Sequence, residues 1–311
     1  MAEWLYEAGI GEARAALVEG GRIVAARIER PGGLRVGTVF EARLVERVAV
    51  GLSRVEGDAG AAVIAQVPPG VTEGARLRVE VVREALPEAG RVKLAKVIAT
   101  DAAPAEGPDL LTRCRASGHA VRMLHAHEPD ALEAADWSEV LDEALTGEIA
   151  FAGGSLRLSP TPAMTLFDVD GPGATAALAV TAATAAAEAI MRHDIGGSIG
   201  IDFPTVTGKA ERRAVAEAID AALPQPFERT ALNGFGFLQI VRPRPRASLP
   251  ELLRADPVAT EALALLRRIA RIPPPVAAVH DVPTPVRRWL DDRPHLIAEL
   301  SRRTGVPISL R

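Results

Sequence analysis

The run AMTLFDV (163–169), the segment ALAVTAATAAAEAIMR (177–192) and the run SIGIDF (198–203) decide the fold. The two flanking runs are short and apolar, as buried strands are, and the segment between them has helical length and alanine content, so together they read as a βαβ unit. Nearly all such crossovers are right-handed. The strands are therefore parallel, and their C-terminal ends meet at the edge where open α/β sheets place their sites. Both strands end in acid: Asp168 and Asp170 in LFDVD, and Asp202 in GIDF. Neighbouring strands lie ~4.8 Å apart, so carboxylates from the two ends can share one divalent cation. A hard ion with oxygen ligands and retained water is Mg²⁺, or Mn²⁺ in its place. The competing reading makes Asp168 or Asp170 the cap of the following helix, and Asp202 the cap of a helix beginning near Thr207.

Outward from this unit the α/β pattern continues. A helical stretch ALEAADWSEVLDEAL (131–145) and strands IAFAG and SLRLSP precede it. Helix 209–222, strand FGFLQIV (235–241), two late helices and a short strand VPISLR come after it. Residues 1–44 read instead as strands, with RIVAARIER (22–30) and VGTVFEARL (36–44) separated by a Pro-Gly-Gly turn at 31–33. From Gly37 to about Val97, short β-rich runs are broken by Gly and Pro, a spacing that suits a five-stranded barrel of the kind that commonly binds single strands. DAAPAEGPDL (101–110) reads as an exposed connector. The expected fold class is α/β with an N-terminal all-β part: residues 1–36 as strands packing with the middle segment, 37–98 as the barrel, 99–130 as a connector and 131–311 as the α/β domain.

The 311 residues, 48% hydrophobic and 24% charged, suffice for a substantial core in two or three domains. No apolar stretch suits a membrane span, and no basic start leads into an apolar block, so the expectation is a cytoplasmic protein with no membrane association. Cys114 is the only cysteine, which leaves no internal disulfide and no multi-cysteine zinc site. The net charge of −4 argues against a surface that coats nucleic acid throughout. Lys93, Lys96 and Lys209 are the only lysines, and the positive charge is otherwise arginine, much of it after Arg242, where it reads either as a local basic face or as ordinary solvated helix surface. DGPGAT lacks the Gly-Lys-Ser/Thr ending of a phosphate-binding loop, and no GxGxxG opens a helix. His119, His125 and His127 with Cys114 match no standard zinc spacing, and no serine sits in a nucleophile elbow.

Several stretches, in order, resemble the bacterial ribonuclease E/G family of endoribonucleases. EGGRIVAARIERPGGLRVGTVFEARL (19–44) is similar to the family's strands leading into its RNA-binding barrel. EIAFAGGSLRLSPTPAMTLFDVDG (148–171) and HDIGGSIGIDFPTV (193–206) resemble the segments carrying its two catalytic aspartates. GFGFLQIVRPRPRASL (234–249) is similar to its Phe-Gly-Leu-Leu-Glu-Met-Ser-Arg-Gln-Arg stretch, and 286–311 resembles the helix and strand that close its catalytic subdomain. The resemblance implies an OB-type barrel, a ribonuclease H-like remnant within 99–130 and a deoxyribonuclease I-like catalytic domain. It also implies that Asp168 and Asp202 hold the catalytic Mg²⁺. Asp170 falls where many members have an orienting asparagine; an aspartate keeps the acceptor oxygens, loses the amide donor and adds charge. Phe40, Arg91, Lys93, Arg242 and Arg244 match positions implied to contact RNA.

The departures from the family are informative. Residues 99–145 are too few for its 5′-monophosphate sensor, Gly234 replaces the sensor arginine before Phe-Gly, and its Val-Arg-Thr motif is only echoed by Thr112-Arg113-Cys114. Cleavage is thus expected to be independent of the 5′ end. The Cys-Pro-x-Cys zinc link is absent, which implies no structural zinc and either a monomer or a dimer through another surface. Phe40 is the one aromatic in residues 37–98, so base stacking on the barrel is expected to be weak, and Ala179 replaces an asparagine of the crossover helix. The leading expectation is a Mg²⁺-dependent endoribonuclease acting on single-stranded RNA in RNA processing or decay. The alternatives are an RNA-binding or scaffold protein that has lost efficient cleavage, and a hydrolase of a small phosphodiester.

Overall fold

The computed structural model describes residues 1–88, 91–173, 175–273 and 275–311. The chain forms two compact units, each assembled from separated stretches: Met1–Pro31, Leu110–Val140 and Leu252–Arg311 in one, Gly32–Asp109 and Leu141–Glu251 in the other. Among the described residues no helix is long and apolar enough to cross a membrane.

The second unit begins with the five-stranded barrel expected from the sequence. Strands Val39–Ala49, Leu52–Gly57, Gly60–Ile64, Arg76–Arg83 and Ala95–Ala99 close on themselves. Their alternate residues Phe40, Ala42, Leu44, Val55, Ala62, Ile64, Val79, Val81 and Val97 point inward and fill it. Gly57 permits the tightest crossing, since a Cβ there would stand 2.3 Å from the Glu41 carbonyl oxygen.

The same unit holds a six-stranded sheet in the order Glu148–Phe151, Gly154–Pro160, Thr165–Asp170, Gly197–Asp202, Phe237–Arg242, Glu228–Arg229. Only the pair Thr165–Asp170 and Gly197–Asp202 is parallel, joined by the crossover helix Ala176–Arg192. That helix and Lys209–Ala222 cover one face. Ala179, Ala182, Ala183, Ala186 and Ala187 carry almost no side-chain bulk, so the crossover helix lies close against Leu156, Phe167, Ile199 and Ile201. This arrangement also explains Ala179, which is fully buried in the helix–sheet contact.

In the first unit, strands Glu3–Ala8, Ala13–Glu19 and Arg22–Glu29 form an antiparallel sheet extended by Ala120–Met123, which pairs parallel to Glu3–Ala8. Helices Pro257–Ala270, Thr284–Asp291 and Pro294–Thr304 enclose a core of Leu263, Leu266, Val286, Leu290, Leu296 and Leu300 that also takes in Ile10. A buried ion network ties this unit together. Arg14, 1% exposed, donates from Nε to Glu7 at 2.6 Å and from Nη2 to Asp130 at 2.6 Å, and its guanidinium lies over the Trp137 ring. Arg271 donates to Glu7 at 2.8 Å, and Arg267 to Glu12 at 3.1 Å.

Residues 131–140 and 252–311 fall in the unit of the N-terminal strands. One expectation is corrected. The two late helices are four: Asp256 caps a new helix that starts at Pro257, and another starts at Pro294, each proline taking the first-turn position that needs no backbone donor.

In the α/β unit, fully buried His193 at the end of the crossover helix has Nε2 3.0 Å from Glu143 Oε2, and Arg192 donates to the same oxygen at 2.9 Å. Burial by itself would push the Glu143 carboxyl up, but the His193 hydrogen bond and the Arg192 charge outweigh it and hold the group below its ordinary value of 4.5. A depressed folded-state value contributes stability that is complete above about pH 4.5 and is lost as pH falls through the folded value. Urea denaturation at pH 7 should show Glu143→Gln destabilised by about 3 kcal/mol. The gap between variant and wild type should narrow as pH drops from 5 to 3.

Candidate active site

Side chains alternate across the six-stranded sheet, and the face away from the helices carries the polar set. Phe167 and Val169 are buried under the helices while Asp168 and Asp170 are exposed on the opposite side; Ile201 is buried and Asp202 exposed. Register aligns five strands in one row on this open face: Glu148 opposite Arg157, Arg157 opposite Asp168, Asp168 opposite Asp202, and Asp202 opposite Phe237. Asp168 and Asp202 are thus direct neighbours on parallel strands, with backbones ~4.8 Å apart.

Neither acid is used to hold the fold. The crossover helix is capped by Thr175, whose hydroxyl accepts from Leu178 N at 3.1 Å, and the helix Lys209–Ala222 starts at Gly208, whose backbone N donates to Glu211. The helix-cap reading of the three aspartates therefore fails. Among the described residues, the side chains of Asp168, Asp170 and Asp202 make no hydrogen bond or ion pair with the protein. Two carboxylates held side by side with no protein cation between them repel one another, and a shared divalent ion relieves that repulsion. The donor set fits Mg²⁺, which typically takes one or two carboxylates and keeps several waters. Asp170 lies two residues further along the strand, ~7 Å away and opposite Ser155. Among the described residues no group of three or more His, Cys, Asp or Glu side chains is placed to hold one ion, so the candidate ligand set is the in-register pair.

The expected RNA-contacting residues are dispersed. Phe40 is 7% exposed inside the barrel core, which leaves it no face on which to stack a base. Lys93 sits in the small hairpin of Leu86–Glu88 with Arg91–Lys93 and pairs with Glu88 at 3.5 Å; the side chain of Arg91 lies outside the described part of the structure. Arg242 is opposite Gly197, at the other end of the sheet from Asp202 and ~17 Å along the strand. Its guanidinium reaches Met191 of the crossover helix on the covered face. Arg244 pairs with Glu251. Neither arginine is brought to the acids.

Arg157 is there instead, and sequence reading missed it. Its side chain is 61% exposed and Nε donates to Glu148 at 3.0 Å on the neighbouring strand, while its backbone stands opposite Asp168 on the other side. Its two terminal nitrogens make no protein hydrogen bond among the described residues. The alternation of SLRLSP placed Arg157 on the face opposite Leu156 and Leu158, but only strand register shows that its neighbour is Asp168. Phe237 was missed for the same reason: its ring crosses Gly200 on the open face, where a Cβ would come within 2.5 Å of it.

A guanidinium on the strand next to Asp168 can meet a phosphoryl oxygen while the carboxylates hold a cation, a division of labour that stabilises charge developing on phosphorus. Arg157→Ala should lower kcat for phosphodiester cleavage by about 10²-fold, as loss of one preorganised donor does. Because its ion pair with Glu148 is exposed, urea denaturation should show a stability change below about 1 kcal/mol.

The Ribonuclease E/G family model matches residues 81–245. This is just over half of the chain, and it includes the whole six-stranded sheet with Asp168 and Asp202. No curated protein matches the chain significantly. The match, laid over the closed barrel's last strand and the strand ends that carry the acid pair, shows that this chain belongs to the ribonuclease E/G family.

Proposed function

We propose that the protein is an endoribonuclease that hydrolyses phosphodiester bonds of single-stranded RNA with Mg²⁺, in cytoplasmic RNA processing or decay and without dependence on the 5′ end. The observation that carries this reading is the in-register pair Asp168 and Asp202, exposed, unpartnered and on the open face of the sheet. It is supported by membership of a family of ribonucleases. Within it, the barrel at residues 37–98 is an OB-type RNA clamp, and the sheet with its two helices is the deoxyribonuclease I-like catalytic half.

Asp168 and Asp202 would hold the ion. An ion held there would supply an activated water and offset charge on the phosphoryl oxygens, chemistry that would leave a 5′-phosphate and a 3′-hydroxyl. Arg157 binds a non-bridging oxygen of the same phosphate through its terminal nitrogens and keeps the strand in register with the acids. Asp170, further along the strand, accepts a hydrogen bond from water or from a ribose hydroxyl entering the site. Phe237 walls the side of the row beyond Asp202 and limits access of bulk water there.

A second reading, an RNA-binding protein with little cleavage, is favoured by one feature. Arg242 and Arg244 are engaged away from the acids, so the open face carries fewer cations than the sequence promised. The two readings separate in one assay with internally labelled single-stranded RNA. Cleavage should require Mg²⁺, stop in EDTA, and fall at least ~100-fold in Asp168→Asn and in Asp202→Asn, since a metal's charge stabilisation is worth several kcal/mol. Salt-sensitive binding of RNA that stays intact with every metal tried would establish the second reading instead.

A further inference from the structure

We infer that Phe235 is a base-stacking platform beside the acid pair, and that it takes the base of the nucleotide adjoining the scissile phosphate; the inference rests on the RNA-cleavage reading above. Among the described residues, Phe235 is the most exposed Phe, Tyr or Trp, at 88%. Trp4, Tyr6, Phe40, Trp137, Phe167 and Phe203 are buried.

The ring is presented by a loop that is fixed rather than loose. Asn233 Oδ1 accepts from Phe235 N at 2.9 Å and from Phe237 N at 3.0 Å, and Asn233 N donates to the Phe237 carbonyl at 3.1 Å. Phe203 N donates to the Gly236 carbonyl at 2.8 Å, which pins the loop to the residue that follows Asp202. Gly236 has φ +91°, and a Cβ there would stand 2.2 Å from the Phe203 carbonyl oxygen, so the backbone can come this close only with glycine. Gly234, on the other side of Phe235, has nothing within 4 Å of where a Cβ would be. Phe235 therefore stands two residues before Phe237, whose register partner is Asp202, at the end of the strands where the carboxylates lie.

The chemistry at this position matches one class of ligand. A single-strand binder needs π-faces beside a backbone-binding row, because any base can stack on them. The barrel supplies none on its surface, since Phe40 is inside it. Phe235 supplies one in the loop at the acid end of the sheet, two residues before the register partner of Asp202. A phosphate lying on the row then has its neighbouring base within reach of the ring.

The test measures binding of a short fluorescent single-stranded RNA in EDTA, where no cleavage is needed, with wild type, Phe235→Ala and Phe235→Trp, each checked for folding by circular dichroism. Phe235→Ala should bind about 5- to 150-fold more weakly, the factor that loss of one base–aromatic stack gives. Phe235→Trp should restore binding, and its added tryptophan fluorescence should be quenched by RNA. An oligonucleotide abasic at successive single positions should lose affinity for wild type at one position and show no such loss with Phe235→Ala, a dependence that a merely structural role would not produce. Equal RNA binding by wild type and Phe235→Ala overturns the inference while leaving cleavage by the acid pair intact. Phe235-dependent binding of RNA that is never cut overturns the cleavage reading and sustains the platform. No RNA binding by wild type overturns both.

Discussion

The parallel pairing of the strands Thr165–Asp170 and Gly197–Asp202 governs the geometry of the α/β unit. Parallel strands need a long crossover, and here it is a helix whose sheet-facing positions are alanines, so its backbone settles close over Phe167, Ile199 and Ile201. That burial fixes the faces of both strands. A slip of one residue in either would turn an aspartate into the helix–sheet core and an isoleucine or phenylalanine into water, which burial on one side strongly opposes. Two carboxylates are thereby held as neighbours against their mutual repulsion by apolar packing on the far side of the same strands.

Carboxylates away from the surface are handled differently. Glu7, Glu12 and Asp130 are met by Arg14, Arg267 and Arg271, and Glu143 by Arg192 and His193. These buried and half-buried carboxylates are consistently paired, as the cost of desolvation requires. Asp168, Asp170 and Asp202 remain in water without a protein partner, although Arg157 stands beside Asp168 and is turned by Glu148.

Much of this was legible in the sequence, for identifiable reasons. The apolar runs at 163–169 and 198–203 and the alanine segment between them marked the βαβ unit and the two terminal acids, because short-range patterning carries that information. The five barrel strands were legible from Gly and Pro spacing. What depends on long-range placement was not legible. Phe40 lies in an alternating strand whose inward phase is set by barrel closure, and Arg242 was placed by its resemblance without the strand register that turns it toward Met191. Arg157 and Phe237 were hidden for the converse reason, since each gains its meaning only from a register partner contributed by another strand. The return of residues 252–311 to the N-terminal strands likewise has no local signal, as the helices there are amphipathic toward any apolar partner.

The proposed chemistry depends on Asp168 and Asp202 sharing one ion. Mn²⁺ binding followed by electron paramagnetic resonance, without RNA, reads that directly. One Mn²⁺ per chain should bind, be displaced by Mg²⁺, be lost in Asp168→Asn and in Asp202→Asn, and be retained in Asp170→Asn. Binding that survives in either of the first two variants, or that disappears only with Asp170→Asn, would contradict a shared ion at this pair.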